Sequence, residues 1–468
     1  MEFSSLVFIC IFLPVTFGLY SAVPSTTAKN YVLIVASLLF YAYGEPVYVL
    51  LMIGSTIMNW LFGKLVAPGR PRGRKPALIA AIVINLVLLG FFKYAGMAVS
   101  TLNAVTGLSI PVPAIALPVG ISFFTFQAMS YVIDVYRGDA EEARSYLDVL
   151  LYVSLFPQLI AGPIVRYKDI SQQIAQREQS ITEVAPGLRR FLFGLAKKVL
   201  LANQFGAVAD ALYGANPSEL FFASAWLAAI SYMLQIYFDF SAYSDMAIGL
   251  GHLFGFTFRE NFDYPYVATS IQDFWRRWHI SLSTWFREYV YIPLGGNRKG
   301  RARAAFNRFV VFFLCGLWHG ASWTFVAWGV YHGLFLLLEE FVPALKRLPK
   351  ALGHVYALVV VLFGWVLFRS ESFGQALFMA SCMLVPSAGT HVQMQLLLQQ
   401  LTPLFLVTLV IGVIASTPVR NFLAHTAERR GLVLPATVVS YCCGLVLLCL
   451  SLLELSAGGY NPFIYFRF

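Results

Sequence analysis

The chain has 468 residues, of which 59% are hydrophobic and 12% charged, and its mean hydropathy is +0.70. A soluble domain carries roughly twice that charged fraction, so a water-soluble enzyme is excluded and an all-α polytopic membrane protein is expected. The formal net charge of +10 does not indicate a nucleic-acid partner, because the basic residues gather in short loops beside apolar runs, the positive-inside pattern.

Leu6–Val23 is apolar, follows an acidic Glu2 rather than a basic leader, and is succeeded at once by further apolar runs. It therefore reads as a retained first span, not a cleaved signal. Tyr31–Tyr43 and Val47–Val66 follow, and the cluster Lys64, Arg70, Arg72, Arg74 and Lys75 marks a cytoplasmic loop. Counting back over three spans places the N-terminus outside. Ala77–Phe92 crosses outward, Thr101–Pro118 is an external or interfacial loop, and Val119–Tyr136 returns.

Asp148–Tyr167 contains Pro157 and the pair Gly162-Pro163, which break a straight helix. Broken backbone at membrane depth needs protein or a watery cavity to satisfy its polar groups. The stretch reads as a re-entrant hairpin or as a kinked span. Phe191–Tyr213 and Leu220–Phe238 form an out-and-back pair, with Lys197 and Lys198 placed to snorkel toward headgroups. Asp239 and Asp245 sit six residues apart in QIYFDFSAYSDMAIGLG, a spacing that does not put them on one helix face. A turn near Ser241 would let them converge to orient a histidine or close a polar cavity; otherwise they cap helix ends.

The stretch Phe274–Gly333 is the centre of the chain. It opens with FWRRWHISLSTWFREYVYIPLGGNRKG and continues through an apolar run broken by Trp318-His319-Gly320. Arg298, Lys299, Arg301, Arg303 and Arg308 form a cytoplasmic loop. From Phe309 to His319 is about 15 Å of helix, half of a hydrocarbon core about 30 Å thick, so His319 lies near mid-depth. An ionisable group there is costly and marks function, unless its ring is simply hydrogen-bonded in a core. A neutral imidazole can take and return a proton, which is what acyl transfer to a hydroxyl requires. His279 and His332 share the same block, but no H-E-x-x-H or C-x-x-C spacing accompanies them, and no metal is expected. His332 reads as a packing or hydrogen-bonding residue. Cys315 precedes His319 by one turn and reads as a small hydrophobe, with a nucleophilic role as the alternative. Beyond the block, Lys346, Arg347 and Lys350 mark a cytoplasmic loop. His354–Phe368 then crosses outward, Pro403–Ser416 inward and Leu434–Leu455 outward, leaving the tail outside.

DFWRRWHISLSTWFREYVYIPLGGNR (273–298) and GLWHGASWTFVAWGVYHG (316–333) closely resemble the membrane-bound O-acyltransferase family. PVGISFFTFQAMSYVIDVYRG (118–138), LFPQLIAGPIVRY (155–167), QIYFDFSAYSDMAIGLG and the FIYFRF ending resemble its bacterial polysaccharide branch. The resemblance implies one membrane domain over 1–468, built as a ring of transmembrane helices with re-entrant segments around a central tunnel. It implies that His319 is catalytic, as base or acyl carrier, and that His279 is a second catalytic position. Trp318, Asp239 and Gln235 become substrate-binding candidates, although Ala242 stands where that branch has glycine. Arg276, Arg277 and Arg298 are candidates for the donor's phosphates, unless they are ordinary positive-inside charge.

The resemblance further implies a cytoplasmic acyl thioester donor, acetyl-CoA, with no permanently bound cofactor. It implies a bacterial inner membrane and O-acetylation of an exopolysaccharide such as alginate or cellulose, often through a periplasmic acetyltransferase partner. D-alanyl or peptidoglycan acyl transfer, and a non-enzymatic export or assembly scaffold, are the alternatives.

Overall fold

The computed structural model describes residues 1–69 and 73–464. Arg70 and Arg72 of the first basic cluster, and the last four residues of the FIYFRF ending, lie outside them. Regular structure among the described residues is entirely helical. The chain divides into two compact units, Met1–Phe191 with Ser244–Arg259, and Leu192–Tyr243 with Glu260–Phe468.

The first unit contains α1 (Phe8–Ala22), α2 (Thr26–Ala42), α3 (Tyr48–Val66), α4 (Arg74–Thr106), α5 (Ile121–Arg137), α6 (Tyr146–Ser154) and α7 (Tyr167–Ala175). Local chemistry starts several of these helices. Ser25 caps α2 by accepting from Ala28 N–H, and Ser145 with Asp148 forms a capping box on α6. Inside the apolar packing, Asn59 of α3 and Asn85 of α4 exchange amide hydrogen bonds of 3.1 and 2.8 Å. This reciprocal pairing satisfies groups that lipid would not. α5 is buried for nearly its whole length despite carrying Thr125, Gln127, Ser130 and Asp134; it is wrapped by protein, not lipid.

After α6 the backbone breaks at Leu155, makes one short helical turn at Phe156–Leu159, and runs irregularly past Gly162-Pro163. Every residue from Val149 to Tyr167 is buried. Gly162 is required there by space: an added Cβ would lie 2.5 Å from Gln158 Cα. The segment is thus a broken, protein-enclosed one, as its proline and glycine content demands.

α8 (Thr182–Tyr213) and α9 (Phe222–Leu253) each run through both units. α9 is one continuous helix, so the turn expected near Ser241 does not form. Its two aspartates find separate partners instead. Asp245 takes a 2.7 Å ion pair from Arg190, in place of the capping role open to it. Asp239 pairs with Lys198 at 2.8 Å, with both side chains almost fully buried. Lys198 therefore does not snorkel; it turns inward, where a carboxylate and a carbonyl receive its protons.

The second unit continues through α10 (Ile271–Arg277), α11 (Ile280–Phe286), α12 (Arg301–His319), α13 (Trp323–Phe341), α14 (Lys350–Arg369), α15 (Phe373–Leu384), α16 (His391–Gln400), α17 (Pro403–Ala415), α18 (Val419–Arg429) and α19 (Val433–Ser456). Among the described residues, α3, α4, α8, α14 and α19 are long and apolar enough to cross a membrane, and the 65° bent pair α16–α17 makes a sixth candidate. The sequence runs suggested more spans. The difference lies in helices such as α5, which is only 17 residues long, and α9 and α12, whose polar residues or basic first turn lower their hydropathy.

α12 and α13 form a hairpin whose backbones touch. A Cβ on Gly316 would lie 2.5 Å from Phe325 O, and one on Gly329 would lie 2.4 Å from Phe312 O. Small residues at the crossing allow this approach. The hairpin turn follows His319, and Ser322 caps α13 by accepting from Thr324 N–H.

Candidate functional site

His319 is the last residue of α12 and is 7% exposed. The helix begins at Arg301 in the basic loop, so about 27 Å of helix separates that loop from the ring. Trp318, Trp328 of α13 and Phe368 of α14 stand edge-to-face around the His319 imidazole, with centroids 5.1, 5.1 and 5.2 Å away. Gly320 follows in extended backbone, and the Phe325 ring occupies the space a Cβ there would need, 2.2 Å away.

His279 arrives from a different part of the chain. α10 is anchored at its start by Ser270, which accepts from Asp273 N–H, and by buried Glu339 of α13, which accepts from Ile271 and Gln272 N–H at 2.5 and 3.0 Å. A carboxylate at a helix N-terminus satisfies its orphan donors. The chain leaves α10 at Trp278 and turns at His279, whose φ of +46° is left-handed. Such a conformation in a non-glycine residue costs on the order of 1–3 kcal/mol and persists where its surroundings over-determine it. Asn261 does so here: its backbone carbonyl accepts from Ile280 N–H at 3.0 Å, and its Oδ1 accepts from Ser281 N–H at 3.1 Å and Ser281 Oγ at 2.9 Å.

Those bonds determine a tautomer. A backbone N–H can only donate, so the Asn261 atom facing Ser281 is the oxygen. The same oxygen lies 3.2 Å from His279 Nδ1, and Nδ1 must therefore donate. Nε2 is left carrying the lone pair, buried and without a hydrogen-bond partner among the described residues. The two imidazoles face one another with centroids 6.4 Å apart, and Trp318 lies 6.1 Å from His279. The arrangement places a ring nitrogen with a free lone pair beside a second imidazole, both buried among aromatic side chains.

The other sequence-derived candidates are distributed differently. Asp239 and Gln235 point away from the histidines. Asp239 accepts from Ile464 N–H at 2.8 Å, Lys198 donates to the Pro462 carbonyl, and Gln235 packs on Gly206 beside Tyr460. Both sit against the C-terminal tail, whose Phe463 stacks on Tyr243 at 4.9 Å. It is Phe240, one residue after Asp239, that reaches the site, edge-on to His279 at 4.6 Å. Arg277 is tied to Asp273 and Asp263 at 3.0 and 3.1 Å, whereas Arg276 and Arg298 are exposed. Cys315 is a buried free thiol. Sequence reasoning missed Asn261, Phe240, Trp328 and Phe368; none stands in a spacing that signals a histidine contact.

The family model for the membrane-bound O-acyltransferases matches residues 121–378, more than half of the chain and including both histidines. The chain belongs to that family. This acyltransferase is 40% identical to the probable alginate O-acetylase AlgI of Pseudomonas putida, with 100% of each chain covered. It is 42% identical to the protein of the same name from Pseudomonas aeruginosa, over 92% of this chain and 84% of that one. A peptidoglycan O-acetyltransferase of Helicobacter pylori is 37% identical over 80% of this chain and 78% of its own. The protein is thus a multi-pass membrane O-acyltransferase, which works in a lipid bilayer and consumes an acyl donor.

Proposed function

We propose that this acyltransferase takes an acetyl group from acetyl-CoA at the cytoplasmic face of a bacterial inner membrane and supplies it for O-acetylation of an exopolysaccharide such as alginate. The full-length relatives named as alginate O-acetylases support the acetyl group and the polysaccharide hydroxyl. The receiving hydroxyl belongs either to the polymer or to a periplasmic acetyltransferase that completes the transfer. The basic residues opening α12 support a cytoplasmic donor entrance. Arg276 and Arg298 are exposed and so available to phosphates, while Arg277 is engaged by two carboxylates.

The single observation that carries the mechanism is the buried pair His279–His319 with its defined tautomer. In this reading His319 removes the proton from the acceptor hydroxyl as its oxygen attacks the thioester carbonyl. The tetrahedral adduct then collapses, the C–S bond breaks, and the departing thiolate takes the proton from His319. The products are an acetyl ester and free coenzyme A thiol. His279, presenting Nε2 from a backbone turn pinned by Asn261, positions the acceptor hydroxyl or the attacking complex. Loss of a positioned base lowers rates by about 10²–10⁴.

The test is acetyl transfer and thiol release by the purified enzyme in proteoliposomes. His319→Ala should lose both by about 10²-fold or more while keeping its elution profile and thermal transition. A folded His319→Ala protein that acetylates at the wild-type rate would exclude the base role. If polymer export fails while acetyl transfer persists, an assembly scaffold becomes the better description.

A further inference from the structure

α4 is longer than the membrane that its neighbours span. Its first residue, Arg74, donates to the carbonyls of Val66 at 2.8 Å and Tyr136 at 2.7 Å, which ties its basic end to the ends of α3 and α5. At the other end Tyr48, which opens α3, packs on Phe92 with ring centroids 5.8 Å apart. α3 has 19 residues, about 28 Å of helix, which matches a hydrocarbon core about 30 Å thick. α4 has 33 residues, and it continues from Phe92 to Thr106 for about 21 Å more. Gly107, at a φ of +72°, reverses the chain, and the following segment returns alongside the helix. Asn103 exchanges hydrogen bonds with the Ile110 backbone at 2.8 and 3.0 Å, Gly96 faces Val112, and Tyr48 Oη donates to the Ala116 carbonyl at 3.0 Å. The result is a pinned hairpin over 94–118 that rises past the start of α3.

Its surface is apolar. Val105 is 81% exposed, and Leu102, Leu108, Ile110 and Val112 are between 39% and 53% exposed. No Asp, Glu, Lys or Arg occurs from Tyr94 to Ile133. Lipid covers apolar side chains at membrane depth, but contiguous apolar surface beyond it marks an interface. A helix resting on headgroups carries Lys or Arg on its polar side, and a carboxylate-rich polysaccharide is held by such cations; the hairpin offers neither. Pro111 and Pro113 lack N–H groups, so the returning strand presents ring faces and carbonyls, the surface that aromatic-lined grooves take up. The basic start of α4 places the hairpin on the outer side. Resting on the outward acetyl transfer proposed above, we infer that the 94–118 hairpin docks an outer-compartment protein bearing an uncharged, aromatic-lined groove, and that acetyl groups reach the polymer through this complex.

The experiment uses the full-length enzyme twice: in cells that acetylate the polymer, and purified in proteoliposomes, where thiol release from acetyl-CoA is read with ethylene glycol as acceptor. The photoreactive residue p-benzoylphenylalanine is placed at Val105 or Leu108, with the lipid-facing Val87 of the same helix as control. Irradiated cells should yield an adduct with a second polypeptide from 105 and 108 and not from 87, and deleting the captured protein should lower polymer acetylation about tenfold or more. Val105→Asp with Leu108→Asp should abolish the adduct and reproduce that loss, because an unpaired charge buried in an apolar contact is strongly unfavourable. Thiol release in proteoliposomes should stay within about twofold of wild type, since both side chains are exposed and their replacement spares the fold. Val105→Ser with Leu108→Ser keeps the hairpin neutral and should give a smaller loss in cells. The inference is overturned if no adduct forms, if the adduct holds only phospholipid or a second copy of this chain, if the aspartate variant acetylates polymer normally, or if thiol release falls in parallel. Any of these leaves the His319 reading standing, because that reading fails only if folded His319→Ala still transfers acetyl in proteoliposomes.

Discussion

Replacing Asn261 by alanine tests the geometric core of the site without touching either histidine. The change deletes one oxygen that accepts from His279 Nδ1, Ser281 N–H and Ser281 Oγ. The serine hydroxyl can rotate toward another acceptor, but the imidazole N–H and the backbone N–H are buried and fixed. Each stranded donor costs about 1–3 kcal/mol, and the left-handed turn at His279 loses a restraint that offset its own strain. We expect a clear drop in thermal stability and a fall in acetyl transfer of about 10²-fold, the scale set by misplacing a reacting group. The assay is single-turnover transfer in proteoliposomes alongside thermal unfolding in detergent, for Asn261→Ala, His279→Ala and the double variant. Because Asn261 acts through His279, the rate losses should be strongly non-additive, with the double variant near His279→Ala. Independent, additive rate losses would refute the argument that Asn261 orients this ring.

Two further outcomes follow from the packing. Lys198→Met leaves Asp239 buried without its cation and should cost about 3–5 kcal/mol, whereas Lys198→Met with Asp239→Leu should recover much of that loss; thermal melts and protease sensitivity at the C-terminal tail report both. Gly329→Val adds side-chain atoms where a Cβ already meets Phe312 O at 2.4 Å, so it should force α12 from α13, destabilise by about 1–3 kcal/mol or more, and lower transfer although no polar group is removed; a melt and a rate indistinguishable from wild type would contradict the close crossing.

Much of this protein is legible in one dimension because lipid is a simple solvent. A low charged fraction and apolar runs of fixed length are enough to declare a helical membrane protein, and basic loops at its edges follow from the same physics. Pro157 and Gly162-Pro163 announce a broken segment because proline lacks a backbone donor and clashes with the preceding helical turn, and glycine is a poor helix former. His319 stands out because ionisable groups inside apolar helices are expensive and therefore rare.

What tertiary structure alone decided is which polar groups answer one another. The sequence left Asp239 open between orienting a histidine, closing a polar cavity and capping a helix end. Only folding brings Lys198, 41 positions earlier, and the tail at Ile464 to its two oxygens. Asn261 carries no signal in its neighbourhood, yet it sets the tautomer of His279 from 18 positions away. Periodicity and composition report the exchange of each residue with solvent, which is a property of local sequence. Hydrogen bonds and ring contacts depend on distances of a few ångströms between distant segments, and those distances exist only once the helices have packed.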